Sequence, residues 1–564
     1  MKTFQELAYR RPSLPALLRE TNACLKALKE AGTFEAADAA LLRWHECIYA
    51  AGTMYVTAQI RRDMNTRAPF YEREMKFYNT ALPLLAPVLK KSVTALLNSP
   101  YRPRFEEKYG AHLFRTAQTQ IGLLNAKVIL PTIRENNLTT AYSRTAAGCS
   151  VEFMGEKCNF YGLLRHMQSP DRTERKAAFL AWAGLYESAA PALEEQYGKL
   201  VKLRRGIAKK LGYGSYIDYI YPSRGRFDYN AADAAAFREA VRQYITPLCQ
   251  KLRAAQAERL GVDKLHWYDE SLTFPQGNPL PVGAPEELVE SARAMYADLS
   301  PETKEYFDFM TEHRLFDLVT RENKHLGGYC TSLLSEKAPF IFSNFNGTSA
   351  DVDVLTHEAG HAFQFYYASR RQPLAELAGS TSEINEIHSM TMELFAYPYM
   401  ERFFGENADR YRYSHFCDAV ATIPYLVAVD EFQHRVFEHP ASGPADWRRF
   451  WREIEGKYLP WRDYDGNAFL ESGGFWMQKQ HVFLYPFYYI DYALAQLGAF
   501  HLYQKQLKDG TGWQDYLTLC GMGGRYGYFE TLQRAGIPNP LRPETVQSAA
   551  AFAERHAAAL ESVL

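Results

Sequence analysis

His357 and His361 stand four residues apart in the stretch LTHEAGHAFQFYYASRRQ (355–372), and Glu358 follows the first of them. On an α-helix, positions i and i+4 lie one above the other on one face. Two imidazoles so spaced can be presented to a single ion. Glu358 is turned about 100° around the axis from His357. Its carboxylate can sit beside such an ion and take a proton from a bound water without being a ligand. This is the HExxH arrangement, whose parts suit a zinc hydrolase. The alternative is two histidines sharing a helix face by accident. The apolar run AFQFYY behind them and the acidic candidates downstream favour the metal.

A catalytic zinc takes three protein ligands and keeps one position open. The segment ELAGSTSEINEIHSMTMELF (376–395) offers Glu376, Glu383, Glu386 and Glu393. Glu376 precedes a Gly-Ser-Thr-Ser stretch that reads as loop and cap, so the helix is expected to start near Ser382. Glu386 then falls in the first turns and can face the histidines; spacing prefers it to Glu383 without excluding the latter. Glu393 lies two turns further along the same face, placed to support a ligand from behind. His388 points elsewhere on this helix and reads as structural.

These residues need elements to hold them. Runs at about 329–334 and 339–345 flank SEKA and read as a β-hairpin leading into the HExxH helix. Thr348 and Asp351 have capping-box spacing at its start. The strand at 340–345 is expected to offer an edge to which a peptide can pair by its main chain. Elsewhere helical periodicity dominates: 14–32, 169–188 with Ser169 as the expected cap, a Pro-interrupted helix over 231–261, and the Ala-rich tail 543–564. The Pro-rich stretch 268–287 reads as a connector. A helix is expected to begin at Pro486. Tyr485, Tyr488, Tyr489 and Tyr492 then fall near one stripe, with His481 just before them. Such a stripe is most simply core packing, yet buried hydroxyls need partners and an acyl-transfer site needs donors.

The bulk numbers exclude several classes. The 564 residues carry a formal net charge of -1, which gives no basis for nucleic-acid or acidic-membrane binding. The longest apolar run, AVATIPYLVAV (419–429), is too short to span a bilayer. The start, MKTFQELAYRRPSLPALLRE, lacks the apolar core of a secretory signal. Eight cysteines, none in a CxxC pair, read as reduced buried thiols of a cytoplasmic protein.

The motifs HEAGH, NEIHSMTMEL (385–394), GGYC (327–330), FNGTSADVDVLTHEAGHAFQ (345–364) and HVFLYPFYYIDYALAQ (481–496) resemble the thimet oligopeptidase and oligoendopeptidase F family of zinc peptidases. The likeness is closest to the oligoendopeptidase F and Pz-peptidase branch. It is most specific over about 325–500; YPSRGRFDYN (221–230) and GGRYGYFETLQRAGIPNP (523–540) are fainter echoes. The resemblance implies a mainly α, two-lobed helical zincin enclosing a deep substrate channel, with a small β-sheet next to the metal. A helical lobe over 1–200 and a catalytic region over 201–564 would form it. It implies one zinc ion held by His357, His361 and Glu386, with Glu358 as base. His481 and Tyr492, with Tyr485 and Tyr489 as neighbours, would stabilise the oxyanion. The expected activity is endopeptidase cleavage of short unfolded oligopeptides. A zinc aminopeptidase, or a peptide-binding protein with a relic HExxH, is the rival.

Overall fold

The computed structural model describes residues 1–123, 125–325 and 327–564. Helices make up most of it. Leu14–Glu30, Phe34–Met64 and Pro69–Leu97 pack on one another. The first two are capped by Ser13 and Thr33, whose side chains accept from Ala16 N and Ala36 N. These hydroxyls satisfy amides that a helix start leaves unpaired. Arg172–Lys210 is 39 residues long. Its cap is Asp171, not Ser169; the Ser169 hydroxyl instead donates to Glu174, at 2.6 Å. Ala231–Leu260 runs unbroken through Pro247 and ends on left-handed Gly261.

Among these helices lies a three-stranded sheet. The strand Ala338–Phe345 is its centre, parallel to Phe316–Val319 on one side and antiparallel to Tyr329–Leu333 on the other. The expected hairpin is therefore present, its turn made by Leu334–Glu336 and left-handed Lys337. The expected edge is not. The 340–345 segment is paired on both sides, and every residue of the strand except Asn344 is buried. Its apolar run Ala338–Phe342 is what a strand covered on both faces requires. Among the described residues, the outer strands of the sheet are Phe316–Val319 and the half-buried Tyr329–Leu333.

The HExxH helix, Ala350–Ser369, packs against this sheet and against the helix Ser382–Phe395. Its start differs from the expected capping box. Ser349 occupies the cap without a side-chain bond. The Thr348 hydroxyl donates to Asn346 Oδ1, at 2.7 Å. Asp351 reaches back to accept from the amides of Asn346 and Gly347, the latter at 2.7 Å. A left-handed Gly347, φ +84°, lets the chain turn tightly enough for this.

Gly360 sets how closely the two helices approach. A Cβ there would stand 2.7 Å from Ser389 Cα and 3.0 Å from His388 O, both backbone. Gly360→Ala must therefore push the helices apart. It is expected to lower stability by about 1–3 kcal/mol and to reduce bound metal, read by urea unfolding and elemental analysis. An unchanged midpoint with full metal content would mean that the contact is looser than it stands.

Candidate metal centre and active site

The two helices bring His357, His361 and Glu386 together. Each imidazole Nε2 lies 3.6 Å from Glu386 Oε2. One ligand atom from each residue falls within 4.8 Å of the others. The imidazole planes stand 86° apart. Glu386 is buried and both histidines are half-buried, so the group is closed behind and open in front. Glu376 is not near: it sits on the turn Ala375–Ala378, 3.5 Å from His45. Glu383, the other candidate, accepts from Tyr229 at 2.6 Å and faces Arg226. His388 is fully buried against Tyr516.

The charge state of this group is that of a cation site. Burial opposes ionisation of Glu386, but the charges of His361 and His357 close by outweigh it. The carboxyl is held well below its ordinary value. Burial likewise opposes a charge on His357, yet Glu386 and Glu393 draw its pKa well above normal. The acidic pair thus holds positive charge at the imidazole. His357, His361 and Glu386 would hold a dication in place of that proton, and the two-nitrogen, one-oxygen donor set fits zinc.

The histidine is also aimed. His357 Nδ1 meets Glu393 Oε1. A carboxylate can only accept, so Nδ1 keeps its proton, and it is Nε2 that would give up its own proton and offer a lone pair to a metal. Glu393 is fixed in turn by His415 Nε2 at 3.1 Å, and His415 Nδ1 meets the Tyr397 hydroxyl at 2.7 Å. Burial opposes ionisation of Glu393, but the two histidines hold it at about 2. Glu393→Ala is expected to weaken zinc binding about 10–100-fold, measured by competition with a chromophoric chelator. Unaltered affinity would show that the imidazole needs no such support.

Glu358 is half-buried, and its carboxylate has no hydrogen-bond or ion-pair partner among the described residues. It lies within electrostatic range of His357, Tyr492 and Cys330.

The tyrosine segment departs from expectation. No continuous helix begins at Pro486. His481–Leu484 forms one short turn of helix, the chain then unwinds, and Tyr489–Asp509 starts afresh. The break centres on Phe487, a non-glycine residue with φ +62°. Such a conformation persists only where the surroundings impose it. Here Phe487 N donates to Gln433 Oε1 at 2.8 Å, and Arg226 donates to the Phe487 carbonyl and to Asp491. Arg224 stands 4.8 Å above the Tyr488 ring and donates to Asp491 at 3.3 Å.

The result is that Tyr488, outside the expected set, donates its hydroxyl to Glu386 Oε1. Tyr492 is half-buried and edge-on to Tyr488, with ring centroids 5.0 Å apart. Its hydroxyl feels the charges of Glu386 and Glu358. Tyr489 is buried against His481, at 4.7 Å between centroids, whereas Tyr485 is 58% exposed. The His481 Nδ1 is buried without a partner, and burial above all pushes this imidazole down to about 4. It is neutral at pH 7. The faint echo at 221–230 was the available signal for this arrangement, since Arg224, Arg226 and Tyr229 all act on it.

A second group that could hold a metal, Glu156, Cys158 and His166, lies by the hairpin Val151–Phe153 and Glu156–Cys158. Glu156 is already paired with Arg165, and His166 with Glu174.

The model of "Peptidase family M3" matches residues 165–274 and 302–550, and that of the "Peptidase M3 N-terminal domain" matches 4–124. The chain belongs to peptidase family M3. Its fold is that of Pz peptidase A, solved with an inhibitor: TM-score 0.94, 40% identity, 99% of each chain covered. Curated relatives are more distant. The chromosomal oligoendopeptidase F of Lactococcus lactis subsp. cremoris is 24% identical over 73% of this chain and 68% of its own length. Oligopeptidase PepF of Bacillus subtilis (strain 168) is 23% identical over 56% of this chain. The match spans 47%, about half, of the Bacillus protein's length. No helix among the described residues is long and apolar enough to cross a membrane. Of the eight cysteines, all free, four are buried and four half-buried.

Proposed function

We propose that the protein is a zinc-dependent endopeptidase acting on short, unfolded oligopeptides. One observation carries this: two imidazoles and a buried carboxylate converge beside a free Glu358 carboxylate. The names of the relatives point the same way. His357, His361 and Glu386 would hold one zinc. When bound, zinc supplies a Lewis acid and makes a coordinated water acidic enough to be a nucleophile near neutral pH. Glu358 takes a proton from the attacking water and later passes it to the leaving amine. Tyr492 and the neutral His481 donate to the oxygen on which charge develops. Tyr489 packs His481 in place, and Tyr485 borders the peptide path. Tyr488 is committed to Glu386, so it steadies the ligand, and Glu393 steadies His357.

The edge strand Tyr329–Leu333 offers main-chain pairing to an extended peptide, which ignores side-chain identity. In this reading the helical lobe at 1–200 and the region 201–564 enclose a channel that folded proteins cannot enter. The protein acts in the cytoplasm, on peptides rather than nucleic acid or membrane.

The test uses internally quenched peptides with acetylated N-termini and amidated C-termini. They should be cleaved internally, a chelator should stop cleavage, and added zinc should restore it. No cleavage of these, with cleavage of the same peptides bearing a free N-terminus, would make this an aminopeptidase. Binding without cleavage by the zinc-loaded protein would leave a peptide-binding module.

A further inference from the structure

Deeply placed cations in this protein come with a carboxylate. Arg226 has Asp491, Arg238 has Asp430, Arg462 has Glu270 and Lys324 has Asp317. The reason is energetic: a charge withdrawn from water needs a counter-charge or neutralises. Half-buried arginines without a carboxylate, such as Arg61, Arg205 and Arg410, donate to backbone carbonyls instead; among the described residues Lys479 has neither. It follows the turn Gly474–Gln478, two residues before His481. Its ammonium lies 5.0 Å from the centre of the Tyr489 ring and 5.6 Å from that of Tyr425. It is half-buried, and among the described residues no carboxylate pairs with it. Burial alone, with nothing to offset it, pulls this amine down to about 8. The two ring faces attract the cation but carry no net charge.

The place of this unmatched charge gives it meaning. Lys479 is close enough to His481 to act on its charge, and Tyr489 touches both side chains. Tyr485, four residues after His481, is open to solvent. Lys479 therefore stands beside the group assigned to the oxyanion, sharing the Tyr489 ring with His481. A substrate carbonyl lying at His481 puts the next residues of the peptide, about 3.8 Å apart from Cα to Cα, within reach of the ammonium.

We propose that Lys479 binds a carboxylate of the substrate, either its C-terminal carboxylate or an acidic side chain close to the scissile bond. This rests on the peptidase reading and deepens it. The enzyme would favour peptides carrying an anion at that one position, and for C-terminal carboxylates it would measure cleavage from the chain end. Lys479 is a specificity residue, with no part in the bond-breaking step.

Binding is measured by calorimetry in the zinc-loaded Glu358→Gln background, with three peptides of one sequence: a C-terminal acid, its amide, and an amide with one internal Glu. At least one carboxylate-bearing peptide should bind about 10-fold or more tighter than the neutral amide, and the one that does identifies the source. Lys479→Gln should abolish that preference while leaving the neutral amide's affinity and the metal content unchanged, and Lys479→Arg should keep most of it. Equal affinities for all three peptides would overturn the proposal, as would equal weakening of all three by Lys479→Gln, or no binding at all. The peptidase reading is judged separately: if the wild-type protein cleaves none of the three while the Lys479-dependent preference persists, that reading alone falls.

Discussion

Glu358→Gln should keep its zinc and lose about 10²–10⁴-fold in kcat, the range of a general base. The amide has the carboxylate's shape, so the helix and its ligands have no reason to move. What it lacks is a basic oxygen. Glu358 is the one acidic group beside the histidines that no hydrogen bond or ion pair engages; Glu386 and Glu393 are both held by neighbouring side chains. No other carboxylate described at the centre is free to replace it. The check pairs steady-state kinetics with elemental analysis of the same sample. Loss of metal along with activity would make Glu358 a ligand or its support. Normal turnover with full metal would remove it from the proton-transfer role.

The centre was legible to the extent that it follows helical geometry. Residues four apart on a helix must share a face, which placed His357 with His361. A cap signal near Ser382 put Glu386 one turn into its own helix. Glu393, seven residues on, had to lie on the same side, and it meets His357 Nδ1. What escaped depends on contacts distant in sequence. Tyr488 reaches Glu386 because the chain unwinds at Phe487, and Arg226 and Gln433, remote in sequence, hold that break. Local propensity at YPFYY favours one helix, and tertiary hydrogen bonds override it. The strand 340–345 departs from expectation for a related reason. An apolar run does not reveal how many neighbours it has, and the partner on its second side, Phe316–Val319, lies ahead of the hairpin. Capping at Thr348 failed more locally, because Asp351 satisfied the loop amides without a hydroxyl.

Glu386→Ala and Glu383→Ala should differ sharply although both remove a buried carboxylate from one helix. Losing Glu386 takes away the donor equidistant from both imidazoles. Since supporting residues alone change metal affinity about 10–100-fold, removal of a ligand should exceed about 100-fold, and the protein should purify nearly metal-free and inactive. Losing Glu383 strands the Tyr229 hydroxyl and weakens the hold on Arg226, which keeps Asp491 as its partner. That variant should unfold more easily, by about 1–3 kcal/mol for a buried donor left unsatisfied, yet bind zinc as the parent does. Glu386→Gln refines the comparison. It still accepts from Tyr488, so packing is preserved, while the charge that balances the imidazoles and the metal is gone. Chelator competition and urea unfolding on the three variants separate the effects. Equal metal affinity in Glu386→Ala and Glu383→Ala would show that the third ligand is another group, and the convergence of His357, His361 and Glu386 would then be a feature of packing.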